Sequence, residues 1–257
     1  MRYIGIDLAW SDRGITGIAV LDGDGNLLDH ALLIDLHDIA KFVCERAGSE
    51  CLVGIDAPLI VKNEVGCRKC DRVLARRGVR IFPANRSWLA LSDGRLRGEV
   101  LVEMLAEKGF ELTDSHPRDL GPGRYVYEVY PRSVLHYHLF DRKAGRTKIP
   151  SYKRARGVGL ERAREGIIEL RDVLKGLELP IGFDFGNLTY PVRDEYVRTY
   201  GWKEIKALGD VFDAILSAYA VYSADTFGYL GGEIVGDLEE GYILAPPDIR
   251  ALGGRDA

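Results

Sequence analysis

The chain has 257 residues, of which 46% are hydrophobic and 29% charged, enough to bury a core, so a wholly disordered protein is excluded. No apolar stretch approaches the length of about 18 residues that a membrane-spanning helix needs, and the N-terminus lacks signal-peptide features. Four cysteines are too few for a disulfide scaffold. We therefore expect a globular, cytoplasmic protein with no membrane partner.

Basic residues are concentrated in two segments, although the formal net charge is -4. Residues 142–164 contain nine lysines and arginines against one acid, and residues 68–80 contain six against one. A locally basic surface on an acidic protein suits an anionic partner such as nucleic acid. A solvated helix face with surface ion pairs explains the same pattern equally well.

The first part of the chain predicts three strands, a helix and a fourth strand. Strands are predicted at 3–7, 14–21 and 27–34, and the cluster at 22–26 is typical of a hairpin turn. A helix is predicted at 35–46 with Asp35 as its N-cap, followed by a strand at 51–56. This order predicts a mixed sheet in which three antiparallel strands precede parallel ones.

The rest of the chain alternates between less regular segments and clear elements. Residues 58–123 are rich in arginine, glycine and proline, and we interpret them as an insertion over the sheet, with one helix at about 99–108. A strand is predicted at 125–129, helices at 160–174 and 210–222, and a hairpin at 233–244 that turns at 237–241. The fold class is α/β, in a single domain over 1–257 with helices flanking the mixed sheet.

Two predicted strands share a pattern in which a glycine precedes an acid by two residues. Gly5-Ile6-Asp7 and Gly54-Ile55-Asp56 each place the acid at the end of a buried strand. The glycine lets another backbone or a ligand approach closely. Ligands bind beyond the carboxyl ends of parallel strands, and two acids there repel each other unless a positive group lies between them.

Three further acids extend this pattern. Asp210 and Asp213 are three residues apart, so they project from one face of the predicted helix. Glu128 lies in the aromatic strand that precedes Pro131. Carboxylate oxygens are the ligands of Mg²⁺ and Mn²⁺, and two such ions suit in-line phosphodiester chemistry. The candidate catalytic residues are therefore Asp7, Asp56, Glu128, Asp210 and Asp213, and the candidate metal ligands are Asp7, Asp56, Asp210 and Asp213.

Each of these acids also has an ordinary structural explanation. Asp210 follows a glycine and precedes an apolar helix, as a helix N-cap does, and Asp213 suits the first turn of a helix. An acid at a strand end can begin the next turn. Glu128 can pair with Arg132 or Lys153. Only the combination of two Gly-Ile-Asp strands with Asp-x-x-Asp favours a site.

Four segments carry a resemblance to a known group of proteins. They are Gly5-Ile6-Asp7-Leu8-Ala9-Trp10, Gly54-Ile55-Asp56-Ala57-Pro58-Leu59, Tyr127-Glu128-Val129-Tyr130-Pro131 and Asp210-Val211-Phe212-Asp213-Ala214. In this order they resemble the ribonuclease-H-like superfamily, and within it the branch catalogued as domain of unknown function 429, labelled a predicted nuclease. The resemblance implies a sheet that begins with three antiparallel strands and a metal-dependent nuclease activity on DNA or RNA.

The resemblance also implies individual roles. Asp7 matches the first-strand metal ligand, and Asp56 matches the fourth-strand acid. Asp210 and Asp213 match the paired late-helix acids of Holliday-junction resolvases, whereas Glu128 has no sure counterpart there. The superfamily also makes a homodimer an open expectation.

Substrate contacts are expected from the basic segment. Lys153, Arg154 and Arg162 are the candidates for holding a phosphate backbone, although Lys153 beside acids can equally be a counter-charge. Tyr152, Tyr130 or Trp88 could stack on a base. No zinc is expected, because the pair Cys67 and Cys70 lacks a second ligand pair.

Two other classes of function stay open. Actin-like and sugar-kinase ATPases share this strand order, but their first phosphate loop needs small residues where Leu8-Ala9-Trp10 stands. A catalytically silent nucleic-acid-binding or interaction module with the same fold is the stronger alternative. Divalent-metal binding that depends on Asp7 distinguishes it from a nuclease.

Overall fold

The computed structural model describes residues 1–141, 143–176 and 188–248, and places a mixed sheet between two layers of helices. The sheet has six strands in the order β3-β2-β1-β4-β6-β5. Strands β1 to β3 are antiparallel neighbours, and β1, β4, β6 and β5 run parallel, which confirms the predicted fold class. The strands are β1 (Arg2–Asp7), β2 (Thr16–Leu21), β3 (Leu27–Leu33), β4 (Cys51–Ile55), β5 (Glu111–Leu112) and β6 (Arg124–Glu128).

The described residues also form eight α-helices and two small hairpins. The helices are α1 (Leu36–Arg46), α2 (Lys69–Arg76), α3 (Arg86–Leu89), α4 (Arg97–Ala106), α5 (Pro131–His138), α6 (Leu160–Gly176), α7 (Asp194–Val197) and α8 (Trp202–Phe227). The hairpins are β7 (Phe140–Asp141) with β8 (Arg146–Thr147), and β9 (Glu233–Asp237) with β10 (Gly241–Ala245). Within 58–123, β5 joins the main sheet and α4 packs on α1. No described helix is long and apolar enough to cross a membrane.

Each face of the sheet has its own apolar core. Side chains alternate between faces along a strand, so Ile4 and Ile6 of β1 pack against α1 and α4, while Tyr3 packs against α8. The core on the α8 side also includes residues of α5 and α6. Asp35 caps α1 as predicted, because its carboxylate accepts hydrogen bonds from the backbone of His37 and Asp38.

Helix α8 lies directly on the backbone of the central strands. A Cβ atom added at Gly5 would lie 1.9 Å from the Ala214 carbonyl oxygen, and one added at Gly54 would lie 2.5 Å from the Ser217 carbonyl oxygen. The close approach that the two Gly-Ile-Asp segments predict is therefore made by a helix backbone. Because Asp7 and Asp56 follow these glycines by two residues, they belong to the strand face that α8 covers.

The start of this helix differs from the prediction. Helix α8 begins at Trp202, so Asp210 lies in its third turn and the N-cap explanation of Asp210 is wrong. Gly209, which suggested a helix start, lies inside the helix and faces the ring of Tyr152, where an added Cβ would be 3.4 Å from the ring. Tertiary packing therefore outweighs the helix-breaking tendency of glycine at this position.

Candidate functional site

Three acids lie side by side at the carboxyl edge of the sheet. Asp7 ends β1, Asp56 follows β4 and Glu128 ends β6. These three strands are parallel neighbours, with Ile6 opposite Ile55 and Ile55 opposite Glu128. The backbone amide of Asp56 still donates to the Ile6 carbonyl at 2.8 Å, so the ladder continues to the acids themselves. A regular ladder therefore fixes the spacing of Asp7 and Asp56.

Helix α8 brings the last two acids to the same place. Asp213 contributes to the electrostatic environment of both Asp7 and Asp56, and Asp210 to that of Asp7. Their position depends on the close packing of α8, because Gly17, opposite Asp7 in the sheet, would place a Cβ atom 2.2 Å from the Asp210 carbonyl oxygen. We refer to Asp7, Asp56, Asp210 and Asp213 below as the acidic cluster.

Two lysines lie against the acidic cluster. The Lys153 ammonium is 3.7 Å from Asp7 Oδ2 and forms an ion pair with Asp213, although half of its side chain (52%) is exposed. Lys206, one turn before Asp210 on α8, pairs with Asp210 Oδ2 at 2.5 Å. The buried Tyr152 hydroxyl donates to Asp213 Oδ1 at 2.7 Å and fixes that carboxylate. Four carboxylates are thus accompanied by two ammonium groups.

Burial makes Asp7, Asp56 and Asp210 hard to ionise. Desolvation raises the pKa of Asp7 to about 7, with Lys153 opposing and Asp213 adding to the rise. Desolvation and then the nearby Asp7 raise the pKa of Asp56 well above its usual range. The pKa of Asp210 is also raised by desolvation, against the effect of Lys206. For Lys153, desolvation lowers the pKa, but Asp213 and Asp7 outweigh it and the net pKa is well above its usual value.

Glu128 has a different environment from its neighbours. Its two oxygens accept from the two terminal nitrogens of Arg68 at 2.6 and 2.8 Å, and one also accepts from the Leu59 amide at 2.8 Å. Arg68 also pairs with Asp71 at 2.9 Å, and the side chains of all three ionic residues are at most 4% exposed. Through these hydrogen bonds Glu128 links the segment after β4, which contains Leu59 and Arg68, to the end of β6. Its partner is Arg68, not the expected Arg132 or Lys153.

A cleft of about 860 Å³ opens beside the acidic cluster. Asp7 and Asp210 lie in its wall, together with the ring of Tyr152 and four basic side chains. The basic residues are Lys153, Arg154, Lys203 and Lys206. Asp56 and Glu128 line a smaller neighbouring cavity, and Trp10 borders both spaces. Two members of the acidic cluster, Asp7 and Asp210, thus line an open cleft with a basic wall.

Only some of the residues that were predicted to contact the substrate line the cleft. Lys153 and Arg154 line the cleft, whereas Arg162 on α6 pairs with Glu169 at 2.7 Å and is absent from the cleft wall. Trp88 lies in the cleft wall, Tyr152 is buried, and the Tyr130 hydroxyl donates to the Arg80 carbonyl at 2.8 Å. Sequence reasoning missed Arg68, Lys203 and Trp202, because each reaches its position through contacts distant in sequence.

The donor set suits a hard divalent cation by its chemistry. All four residues of the acidic cluster offer carboxylate oxygens, and desolvation raises the pKa of Asp7, Asp56 and Asp210, which a nearby cation would lower. Within 1–141, 143–176 and 188–248, no three His, Cys, Asp or Glu side chains are already gathered at metal-ligating distances. The Lys153 ammonium lies between Asp7 and Asp213 instead.

The fold and the acidic cluster define an α/β protein with a carboxylate-rich site at the carboxyl edge of a mixed sheet. The chain belongs to the family described as "Protein of unknown function (DUF429)", whose model matches residues 5–231, and this confirms the family resemblance of the sequence motifs. No curated protein and no solved structure matches the chain.

Proposed function

We propose that this protein is a divalent-metal-dependent nuclease of the ribonuclease-H-like superfamily that hydrolyses phosphodiester bonds in DNA or RNA. One observation carries the proposal: four carboxylates from two parallel strands and one helix meet beside a basic cleft, and two ammonium groups accompany them. Asp210 and Asp213 are buried, and Asp7 and Asp56 are partly buried. The strand order supports the superfamily assignment, with three antiparallel strands before the parallel ones.

Asp7, Asp56, Asp213 and Asp210 would hold Mg²⁺ or Mn²⁺. Such a cation, when bound, lowers the pKa of a water molecule and stabilises charge on the phosphoryl group. The raised pKa values of Asp7 and Asp56 agree with this role, because a nearby positive charge would restore the ionised carboxylates.

The remaining residues of the site would position the reactants. Tyr152 holds Asp213 in one orientation through its hydroxyl group. The Lys153 ammonium lies on an exposed segment at the mouth of the cleft, where it can hold a substrate phosphate. Both oxygens of Glu128 are occupied by Arg68, so we assign Glu128 to holding the wall near Asp56 rather than to binding metal.

The rival function is a silent nucleic-acid-binding module, and the position of Lys153 favours it. An ammonium group between Asp7 and Asp213 supplies positive charge without any metal, so the fold can exist with the cation site permanently occupied by a side chain. A direct metal titration separates the two functions.

The test is a calorimetric titration of Mn²⁺ into the wild type and three variants, Asp7→Asn, Asp213→Asn and Glu128→Gln. We expect the wild type to bind Mn²⁺. Asp7→Asn and Asp213→Asn should lose this binding, because each substitution removes a charged ligand. Glu128→Gln is the matched control, and it should bind Mn²⁺ as the wild type does. Absence of heat in the wild type, or equal binding by Asp7→Asn, would contradict the metal site.

Cleavage is measured next on labelled DNA and RNA with Mg²⁺ or Mn²⁺. Asp7→Asn, purified in parallel, is the control for contaminating nucleases and should show no cleavage above background. Metal binding without cleavage of any substrate would leave the cluster as a cation site and remove the nuclease assignment.

A further inference from the structure

The chain has three tryptophans, and all of them line the same cleft. Trp10 follows β1, Trp88 is in the short helix α3, and Trp202 is the first residue of α8. They come from three separate parts of the sequence, so their meeting is a property of the folded chain. Trp10 and Trp88 are 57% and 69% exposed, respectively, and Trp202 is half-buried.

Such exposure leaves ring faces available to a ligand. Tryptophan is normally well buried, because its large apolar surface is stabilised by removal from water. The rings of Trp10 and Phe82 are in edge-to-face contact, with their centroids 6.1 Å apart. Phe82 is itself 54% exposed, so this contact does not bury the tryptophan. Exposed aromatic surface grouped in a concave site marks a place where a partner binds.

Positive charge is interleaved with these rings. The Arg154 guanidinium lies over the ring of Trp202, 5.6 Å from its centroid, and Lys203 is the next residue along α8. Within the described part of the chain, neither Arg154 nor Lys203 has an acidic partner at ion-pair distance, unlike Lys153 and Lys206. These two cations are therefore available to an anionic ligand.

We propose that the cleft binds an unpaired nucleic acid strand, with its bases stacked on the exposed rings of Trp10 and Trp88. Arg154 and Lys203 hold the phosphates beside those bases. Stacking requires an accessible base face, which a paired duplex hides, so the substrate of the proposed nuclease is single-stranded DNA or RNA. Binding of the strand is inferred from the cleft alone, whereas its cleavage depends on the proposed function.

Intrinsic fluorescence gives a readout specific to this cleft, because no tryptophan of the chain lies elsewhere. Oligonucleotides of about a dozen residues are titrated into the full chain in Ca²⁺, and again in EDTA. The probes are single-stranded DNA, single-stranded RNA, the corresponding duplex and a mononucleotide. We expect saturable quenching by a single strand and binding at least about ten times weaker for duplex and mononucleotide. Equal or tighter binding of either, or no quenching by any strand, would overturn the proposal.

Two variants of the most exposed tryptophan test the stacking directly. Trp88→Leu is expected to weaken single-strand binding about tenfold, which is about 1.4 kcal/mol, and Trp88→Phe to restore most of it. Because Trp88 is 69% exposed, neither change removes a core contact. Tyr196→Leu is the matched control, since Tyr196 is also exposed but lies outside the cleft wall, and it should bind normally. Anisotropy of a labelled strand provides the affinities.

The outcomes separate this inference from the nuclease assignment. Tight single-strand binding without cleavage retains the cleft proposal and rejects the hydrolytic function. Cleavage that proceeds normally in Trp88→Leu, with unchanged strand affinity, retains the nuclease and rejects the stacking cleft.

Discussion

Two groups of buried acids lie next to each other at the edge of the sheet, and they are neutralised in opposite ways. Glu128 and Asp71 share Arg68, whose side chain is 2% exposed and whose guanidinium nitrogens bond both carboxylates. Asp7 and Asp213 share Lys153, whose side chain is 52% exposed. The arginine is held in the core, whereas under the proposed function the lysine would be a counter-charge that a metal ion replaces.

The largest expected difference lies in stability. Arg68→Met leaves two buried carboxylates without a cationic partner, so we expect it to lower the free energy of unfolding by about 3–5 kcal/mol. Lys153→Met, at a half-exposed site, should change it by no more than about 1 kcal/mol. Urea unfolding followed by circular dichroism measures both. Arg68→Lys keeps the charge and should recover part of the loss, and equal losses for the arginine and lysine variants would contradict the comparison.

The pH dependence of stability tests the raised pKa of Asp7. Its pKa is about 7 in the folded chain against an ordinary value of 3.8, so the folded state binds this proton more tightly than the unfolded state. Stability from this group is complete below pH 3.8 and is lost as pH rises through about 7. The wild type should therefore lose stability relative to Asp7→Asn over this range, by about 4 kcal/mol for a shift of this size.

The measurement is the difference in Tm between metal-free wild type and Asp7→Asn at a series of pH values. Groups that Asp7 does not influence cancel in that difference, including the distant Asp22 and Asp194, whose pKa values are lowered. Asp56 does not cancel, because Asp7 raises its pKa. We expect Asp7→Asn to be the more stable protein at pH 8. A difference that does not vary with pH would show that Asp7 ionises normally.

The smallest expected effect concerns competition for the cation site. Lys153→Met removes the ammonium between Asp7 and Asp213, so we expect Mn²⁺ to bind about tenfold more tightly, or by about 1.4 kcal/mol. Lys206→Met is the matched control on the same cluster, and its effect should be smaller because Lys206 pairs with Asp210 alone. Unchanged Mn²⁺ affinity in Lys153→Met would mean that the lysine does not occupy the cation site.

Local pattern was enough to predict five of the six strands of the sheet, all but β5, and the strand-end acids. The Gly-Ile-Asp segments identified the ends of β1 and β4, where Asp7 and Asp56 lie. The hairpin at 22–26 and the cap at Asp35 depend on hydrogen bonds within a few residues, so they were also predictable.

Contacts between distant residues were not predictable in this way. Arg68 and Glu128 are 60 residues apart, and nothing near either one indicates the other. The start of α8 was missed because Gly209-Asp210 has the local features of a helix start, while the contact with Tyr152 that allows a glycine there is made across the fold. The tryptophan cleft requires three segments to meet, which is a consequence of topology.

The close packing of α8 on Gly5 and Gly54 determines which amino-acid substitutions disturb the geometry of the site. The spacing between the strand acids and the helix acids is set by main chain against main chain, with no side chain in between. Substitutions elsewhere in the core can alter packing volume without altering this spacing. Conversely, a single methyl group at Gly5 would separate the two halves of the cluster while every acid remained in the chain. The distances between the strand acids and the helix acids are thus set by glycine residues that take no direct part in the chemistry of the site.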